Sequence, residues 1–393
     1  MLRFNRFTTT TAAGPVARQN GYSREDGAVN LSGSRLHLTP ATKGNALIYV
    51  LWLAGFLGTA VVGVMGAHLI PISERDFVSV WVAGKLVTSG HAAQAFDVDS
   101  LRAAAATYAG TTYKITFPYP PHILFFAVPL SFLPLTVSFF VWQAISALFF
   151  YLAAKRCLPA GMLPILAVLT PSAVVNVTYG QNGLLLGALW LFAFRGSALS
   201  AALLTVKPHI GVLVAIEMWR RKLVLRTSFI AIAVVVLSAL LFGLGAWHTS
   251  LANAASSQFN LINSGKYPNW FVQMTTPFVG YGYIGWFLFA GAAAFLCTRC
   301  FNVFTAATAT FLISPYGFHY DMTVVCLGFG VLLFERWRSM SSWQAFVCAL
   351  AFLSPMLVRA GTWLVPPILL LGLYAQTAAW RREAMPTEGS YKV

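Results

Sequence analysis

The sequence predicts an all-α, polytopic membrane protein. Its 393 residues are 58% hydrophobic and only 9% charged, and the mean hydropathy is +0.70. The apolar residues gather in repeated, nearly uncharged blocks, and a membrane-spanning helix needs about 20 such residues. Helices satisfy their own backbone polar groups in lipid, so helical spans are the expected structure for these blocks.

The formal net charge of +15 is compatible with this class. Most basic residues lie in short segments between apolar blocks, as the positive-inside rule describes. No basic run is interleaved with aromatic residues in the manner of a nucleic-acid interface, so we expect membrane lipids and no nucleic acid among the partners. The five cysteines, including the isolated Cys297-x-x-Cys300 pair, are interpreted as small apolar fillers.

The chain order predicts one membrane domain between two tails. Residues 1–44 are polar and basic, which indicates a disordered cytoplasmic tail, and residues 381–393 form a second cytoplasmic tail. Residues 45–380 form the membrane domain, whose first span covers about residues 46–70. Because the basic tail precedes this span, residues 71–121 are expected to form the first extracytoplasmic loop.

The first loop is expected to carry short interfacial helices. Apolar residues at 77–86 suit a helix that lies in the membrane interface and ends at Gly90. A second short helix is predicted at 97–108, with Asp97 or Asp99 near its N-terminus. The loop returns to the membrane through Tyr119-Pro120-Pro121.

The later blocks give about 10–13 membrane segments in all. Several are shorter than a full span and are interrupted by prolines, so half-helices or re-entrant segments are expected among them. Arg220-Arg221-Lys222 should be cytoplasmic, whereas Lys155-Arg156 does not fit an arrangement in which every preceding block spans. Either one block is re-entrant or those two charges lie outside.

Five of the 11 acidic residues lie away from the tails and from the predicted cytoplasmic ends of helices. They are Glu74, Asp76, Asp97, Asp99 and Asp321. Asp97 and Asp99 have a simple explanation as helix-capping residues, whereas Asp321 lies where a membrane block resumes and a charge is costly unless it has a function or a partner. Asp76 is either a working carboxylate or a solvated interfacial charge paired with Arg75.

Three polar groups interrupt the apolar blocks, at Tyr179-Gly180-Gln181-Asn182, Lys207-Pro208-His209 and His319-Tyr320-Asp321. Each alone could be an interhelical contact, because Asn, Gln and His often bond across membrane helices. Together with Asp76 they offer a base, a cation and hydrogen-bond donors. This combination favours an anionic phosphate and a sugar over a simple ion path.

The order of these motifs resembles glycosyltransferase family 87. The succession is Asp76-Phe77, Tyr119-Pro120-Pro121, Gly180-Gln181-Asn182 and Lys207-Pro208, and the resemblance covers about residues 45–220. This family belongs to the GT-C superfamily and contains polyprenyl-phosphate-mannose-dependent mannosyltransferases. The resemblance implies a GT-C fold, a catalytic aspartate in the first extracytoplasmic loop at Asp76, and inversion at the anomeric carbon.

The resemblance also implies substrates and roles. The donor would be a polyprenyl-phosphate-linked sugar, with mannose as the best-known case, the acceptor a lipid or glycan, and no metal or other cofactor is expected. Lys207, His209 and His319 are the candidates for binding the donor phosphate. The candidates for other substrate contacts are Glu74, Tyr119, Gln181, Asn182, Tyr320 and Asp321. Glu74 is also the alternative to Asp76 as the base.

The expected location is the bacterial inner membrane, with the active site facing the periplasm. Two other functions fit the same features. A lipid or sugar transporter or flippase would use Lys207 and Asp321 along a substrate path, but the sequence shows no internal repeat of the kind common in transporters. A non-catalytic assembly subunit would keep the fold and leave Asp76 dispensable.

Overall fold

The computed structural model describes residues 40–67, 71–113, 115–263, 278–314, 317–357 and 362–384, and this part of the chain contains no strand. The predicted tails therefore lie largely outside the described residues. The all-α architecture expected from the sequence is confirmed.

The α-helices of the described residues are α1 Pro40–Ala67, α2 Phe77–Thr88, α3 Val98–Ala109, α4 Leu124–Ser131, α5 Leu135–Ala154, α6 Pro171–Tyr179, α7 Gly183–Phe194, α8 Ala198–Leu203, α9 Pro208–Arg220, α10 Val224–Phe242, α11 Leu244–Asn263, α12 Phe278–Arg299, α13 Val303–Ile313, α14 Thr323–Arg336, α15 Ser342–Leu357 and α16 Val365–Ala384. Short 3₁₀ helices join several of them, at Ile72–Glu74, Ala92–Phe96, Pro121–Ile123, Pro164–Leu169, Leu204–Val206, His319–Asp321, Trp337–Ser339 and Thr362–Leu364.

Local sequence explains where several helices begin and end. The Asp97 carboxylate accepts a hydrogen bond from the Ser100 N–H at 2.9 Å, so the capping interpretation of Asp97 is confirmed, and Gly110 ends the same helix in the left-handed conformation. Asn302 and Thr305 form a capping box at the start of α13.

The first loop has a hydrophobic core of its own. Phe77, Trp81, Phe96 and Leu101 are buried there together with residues of α4 and α5. The helix predicted at 77–86 is present as α2, but every side chain from Phe77 to Ala83 is buried within the protein. It packs closely on α4, where a Cβ on Gly84 would overlap the Ala127 carbonyl. α2 thus packs within the protein, and its position relative to the membrane interface stays a prediction.

A larger core joins α1, α5–α9 and α12–α16. This core contains three pairs of successive helices, α6/α7, α8/α9 and α13/α14. Polar residues connect the two helices of each pair. The Ser172 hydroxyl donates to the His319 carbonyl at 2.7 Å, and the Thr323 hydroxyl donates to the Gly183 carbonyl at 3.0 Å. These buried bonds hold the start of α6 and the first residue of α7 against the segment that leads from α13 into α14.

Basic residues follow the C-terminal ends of α7 and α9. The Arg195 Nη1 donates to the Arg156 carbonyl at 3.0 Å, and the Arg221 Nη2 donates to the Phe194 carbonyl at 2.6 Å. The ends of α5, α7 and α9 therefore meet, and we call this end of the molecule the basic face.

Two described helices are long and apolar enough to cross a membrane, Leu135–Ala154 and Val224–Phe242. The second, α10, is almost unburied, and Leu225, Phe229 and Leu240 are each more than 70% exposed. Such an apolar surface suits contact with lipid. Further apolar helices are shorter, as the sequence predicts. The total of 10–13 membrane segments stays a prediction.

Candidate active site

A large cavity lies between the first loop and the polar turns of the three helix pairs. Its volume is about 540 Å³. Its wall includes Asp76 and Asp97 from the loop, Tyr119 and His122 where the loop ends, and residues of all three turns. The turn residues are Gly180, Gln181, Asn182, Thr205, Val206, Lys207, Pro208, His209, Phe318 and Tyr320. Most of the polar residues that interrupt the apolar blocks therefore meet in one place.

Asp76 joins the loop to the first of these turns. It occupies the N-cap position of α2, its side chain is half-buried, and its Oδ2 accepts a hydrogen bond from the Gln181 Nε2 at 2.5 Å. Burial raises the pKa of Asp76 above the ordinary value, while the Gln181 hydrogen bond and the positive charge of Lys207 oppose that rise. A carboxylate with a raised pKa is a better proton acceptor than an ordinary aspartate.

The turn that contains Gln181 packs closely against α2. Gly180 has φ +73°, and a Cβ there would lie 2.6 Å from the Phe77 Cβ. Asn176 is fully buried beneath the turn. Its side-chain amide is oriented so that the NH₂ group donates to the Gln181 carbonyl at 3.0 Å and the oxygen accepts from the Gly183 N–H at 2.6 Å. The position of Gln181 is therefore fixed from both sides.

Lys207 supplies a buried positive charge at the cavity wall. It precedes Pro208, which starts α9, and its Nζ lies 2.5 Å from the Asp321 Oδ2. The ammonium also lies 5.4 Å from the Phe318 ring centroid and 5.0 Å from that of Tyr320. A buried cation needs a partner of this kind, because desolvating an unpaired charge is costly.

The family model of glycosyltransferase family 87 matches residues 117–358. The chain belongs to this family. No curated protein and no solved structure matches the chain. The matched region begins after Asp76 and runs through Lys207 to beyond Asp321, whereas the sequence resemblance covers about residues 45–220. The protein is thus a membrane-type glycosyltransferase, and a sugar donor and an acceptor are its substrates.

The predicted site residues of this family 87 protein divide into two groups. Seven lie in the cavity wall: Asp76, Tyr119, Gln181, Asn182, Lys207, His209 and Tyr320. Glu74, His319 and Asp321 are not part of the wall formed by the described residues. Glu74 belongs to the half-exposed 3₁₀ turn before Asp76, and the His319 ring packs edge-on against Tyr179 with centroids 6.2 Å apart.

Asp321 is the clearest difference between expectation and structure. The sequence predicts that it contacts substrate, whereas the structure directs its buried carboxylate to Lys207. Its carboxylate neutralises a cation that itself lines the cavity. The buried charge of Asp321 is thus paired within the protein, and its predicted contact with substrate stays a prediction.

His122 is a cavity residue that sequence reasoning missed. Its ring is 98% buried, its Nε2 lies 3.2 Å from the Thr205 Oγ1, and it stacks on Trp247 with centroids 6.1 Å apart. The signal was present, since His122 directly follows the Tyr119-Pro120-Pro121 motif. It was overlooked because it opens an apolar block.

Proposed function

We propose that this glycosyltransferase transfers a hexose, with mannose as the first candidate, from a polyprenyl-phosphate sugar to a hydroxyl of a lipid or glycan acceptor. Asp76 acts as the general base, and the anomeric configuration inverts. The observation that carries the proposal is the Asp76 carboxylate, which lines the main cavity and is held there by Gln181. The expected setting is the outer face of a bacterial inner membrane.

Asp76 suits the base role better than Glu74. Direct displacement at the anomeric carbon needs one carboxylate that takes the acceptor proton as the hydroxyl attacks. Asp76 lies in the wall with a raised pKa, whereas Glu74 lies outside the wall on the preceding turn. Asp97 is a second carboxylate of the wall, but its Oδ2 already caps α3.

Lys207 suits stabilisation of the leaving group. The departing polyprenyl phosphate develops negative charge, and a buried cation fixed in the cavity wall stabilises it without reorganisation. Asp321 and the rings of Phe318 and Tyr320 hold the ammonium in place before substrate arrives. His209 lies in the same wall at the start of α9 and is a second candidate for contact with the phosphate.

The rest of the cavity is compatible with a lipid-linked donor. Its wall contains the apolar side chains of Val80, Ile115, Phe117, Val235 and Leu251 next to the polar turns. Val235 belongs to α10, which is the less buried of the two helices that are long and apolar enough to cross a membrane. An isoprenoid chain could thus reach the polar turns from the bilayer without crossing water.

The test is turnover of the purified protein with polyprenyl-phosphate mannose and an acceptor, measured as release of polyprenyl phosphate. Asp76→Asn keeps an oxygen that accepts from Gln181, so the fold should persist while turnover falls by about 10²–10⁴-fold, the usual contribution of a general base. Asp99→Asn is the matched control, because Asp99 is in the same loop with a 97% exposed side chain and should keep full activity.

Glu74→Gln completes the design. We expect it to retain activity, and a fully active Asp76→Asn protein together with an inactive Glu74→Gln protein would assign the base to Glu74 instead. Replacing mannose by glucose or arabinose in the donor then identifies the sugar. Transport of the lipid in vesicles without any sugar transfer would contradict the proposed reaction altogether.

A further inference from the structure

A second cavity lies at the basic face, away from the candidate active site. Its volume is about 300 Å³, and its wall includes Arg195, Glu217, Arg220 and Arg221. α7 runs between the two cavities, with Asn182 before its first residue at one and Phe194 at the other. Its 12 residues correspond to about 18 Å at 1.5 Å per residue. The second cavity is therefore a separate site.

The charges of this cavity do not balance. Three arginines face one glutamate, which leaves an excess of two positive charges among the wall residues. The Arg221 Nε donates to the Glu217 Oε1 at 2.6 Å, but the Arg220 Nη1 is 3.6 Å from the Glu217 Oε2, which is longer than a good hydrogen bond. Each guanidinium carries five N–H donors, so donors remain for an anion.

Contacts within the protein hold the three arginine side chains in place, but these side chains remain accessible to a ligand. Arg195 and Arg221 are fixed by the Arg156 and Phe194 carbonyls, and the Arg220 guanidinium carbon lies 5.1 Å from the Phe301 ring centroid. The side chains of Arg220 and Arg221 remain 55% and 42% exposed. Fixed, planar guanidinium groups around a cavity match the geometry of a phosphate.

Exposed apolar side chains next to the arginines indicate the source of that phosphate. Trp219 is 75% exposed and Leu225 is 85% exposed, and they flank the arginines in the chain at the end of α9 and the start of α10. A ligand that carries both a phosphate and acyl chains would cover the cavity and this apolar surface together. A free phosphate would use only the cavity.

We propose that the cavity formed by Arg195, Arg220 and Arg221 binds the phosphate head group of an anionic membrane lipid. The positive-inside rule accounts for basic residues on this face, but it does not require three of them to converge on one cavity. Basic pockets between membrane helices are known to receive acidic lipid head groups. The bound lipid would tie together the ends of α5, α7 and α9.

Native mass spectrometry of the purified full chain tests the proposal, with dioleoyl phosphatidylglycerol and dioleoyl phosphatidylcholine as probes. We expect phosphatidylglycerol to bind in preference, and Arg220→Gln or Arg195→Gln each to weaken it about tenfold through loss of a charge-assisted hydrogen bond. Arg226→Gln is the matched control, because Arg226 is an exposed basic residue two residues into α10 that is outside the cavity wall. It should bind like the wild type.

Two results would overturn the proposal. Equal weakening in all three variants would show that the face attracts acidic lipid only through its general charge. The second result comes from competition between inorganic phosphate and the lipid at matched ionic strength. If it displaces phosphatidylglycerol at concentrations comparable to the lipid, the site recognises free phosphate rather than a lipid. Thermal unfolding of each variant without lipid verifies that the substitutions leave the fold intact.

Discussion

Replacing Gly180 by alanine tests whether the packing of one turn positions the proposed base. Gly180 has φ +73°, and a Cβ there would lie 2.6 Å from the Phe77 Cβ and 2.8 Å from the Phe139 Cε2. Phe77 follows Asp76, and Gly180 precedes Gln181. The methyl group would therefore push apart the two segments that the Asp76–Gln181 hydrogen bond joins.

The expected cost has two parts. The left-handed conformation costs a non-glycine residue about 1–2 kcal/mol. The contact with Phe77 must open by about 1 Å to reach an ordinary carbon–carbon separation of about 3.5–4.0 Å, and overpacking of this kind costs about 1–3 kcal/mol. Phe77 and Phe139 are 0% and 2% exposed, so neither ring can move freely. The sum is about 2–5 kcal/mol.

Gly110→Ala separates the two parts. Gly110 has φ +64°, but nothing lies within 4 Å of a Cβ there. This variant has the backbone cost alone, and the effect of alanine on the unfolded chain is common to both variants. Gly110 ends α3 in the left-handed conformation, as Gly180 ends α6, so the two substitutions share the same backbone requirement.

The measurements are the thermal unfolding midpoint in detergent and the rate of sugar transfer. Gly180→Ala should lower the midpoint further than Gly110→Ala. It should also reduce turnover about 10²-fold, which is the reported scale for a misplacement of about 1 Å. Gly110→Ala should keep its turnover. Equal midpoints and equal rates in the two variants would refute the idea that this contact sets the position of Asp76.

Three further predictions concern charged groups. Asp321→Leu alone should destabilise the protein by about 3–5 kcal/mol, because it leaves the Lys207 ammonium buried without a counter-charge, and adding Lys207→Met should restore much of the thermal midpoint. Asp97→Ala should remove about 0.5–2 kcal/mol of stability through loss of the cap. Because the Ser100 N–H lowers the pKa of Asp97 in the folded state, this difference should be full above the ordinary pKa of about 3.9 and disappear as the pH falls through the lowered value. For Asp76 the folded pKa is raised, so the acid limb of kcat/KM should lie at a higher pH than an ordinary aspartate gives, and a limb near pH 3.9 would count against its role as base.

The sequence was sufficient for those site residues whose polarity is costly in an apolar setting. Asp76, Gln181 and Lys207 stand out because each interrupts or borders an apolar block, and the structure brings all three to one cavity. Their neighbours along the chain were harder to assign. Glu74 shares a polar segment with Asp76, and His319 shares one with Tyr320, but only the fold decides which side chain of a turn faces a cavity.

Polar residues that form their hydrogen bonds inside the helical core gave no comparable signal in the sequence. Asn176 lies within α6, where an amide is easily explained as an interhelical contact, yet it holds both ends of the 180–183 turn. His122 is buried at the start of an apolar block. The sequence also does not show which charged residues form an ion pair, since 114 residues separate Lys207 from Asp321. Each of these assignments depends on a contact between distant segments.

The position of Lys155-Arg156 shows how length and contacts together fix the path of the chain. α4 has eight residues and is about 12 Å long, whereas the hydrocarbon core of a bilayer is about 30 Å thick. It follows His122 in the cavity wall, and the turn after it stays beside α2, because the Trp81 Nε1 donates to the Leu133 carbonyl at 2.9 Å.

It is α5 that returns to the basic face. Trp142 of α5 lines the first cavity, and Cys157, just beyond the end of α5, lines the second. Of the two alternatives for Lys155-Arg156, this arrangement favours the one in which a block before Lys155, namely α4, is re-entrant; the number of full crossings stays a prediction. The N-terminus of α1 then lies on the basic face too, since the Tyr49 hydroxyl donates to the Gly161 carbonyl at 3.3 Å. Lys155-Arg156 and Arg220-Arg221-Lys222 therefore lie at the same end of the molecule, which is the arrangement that the positive-inside rule favours.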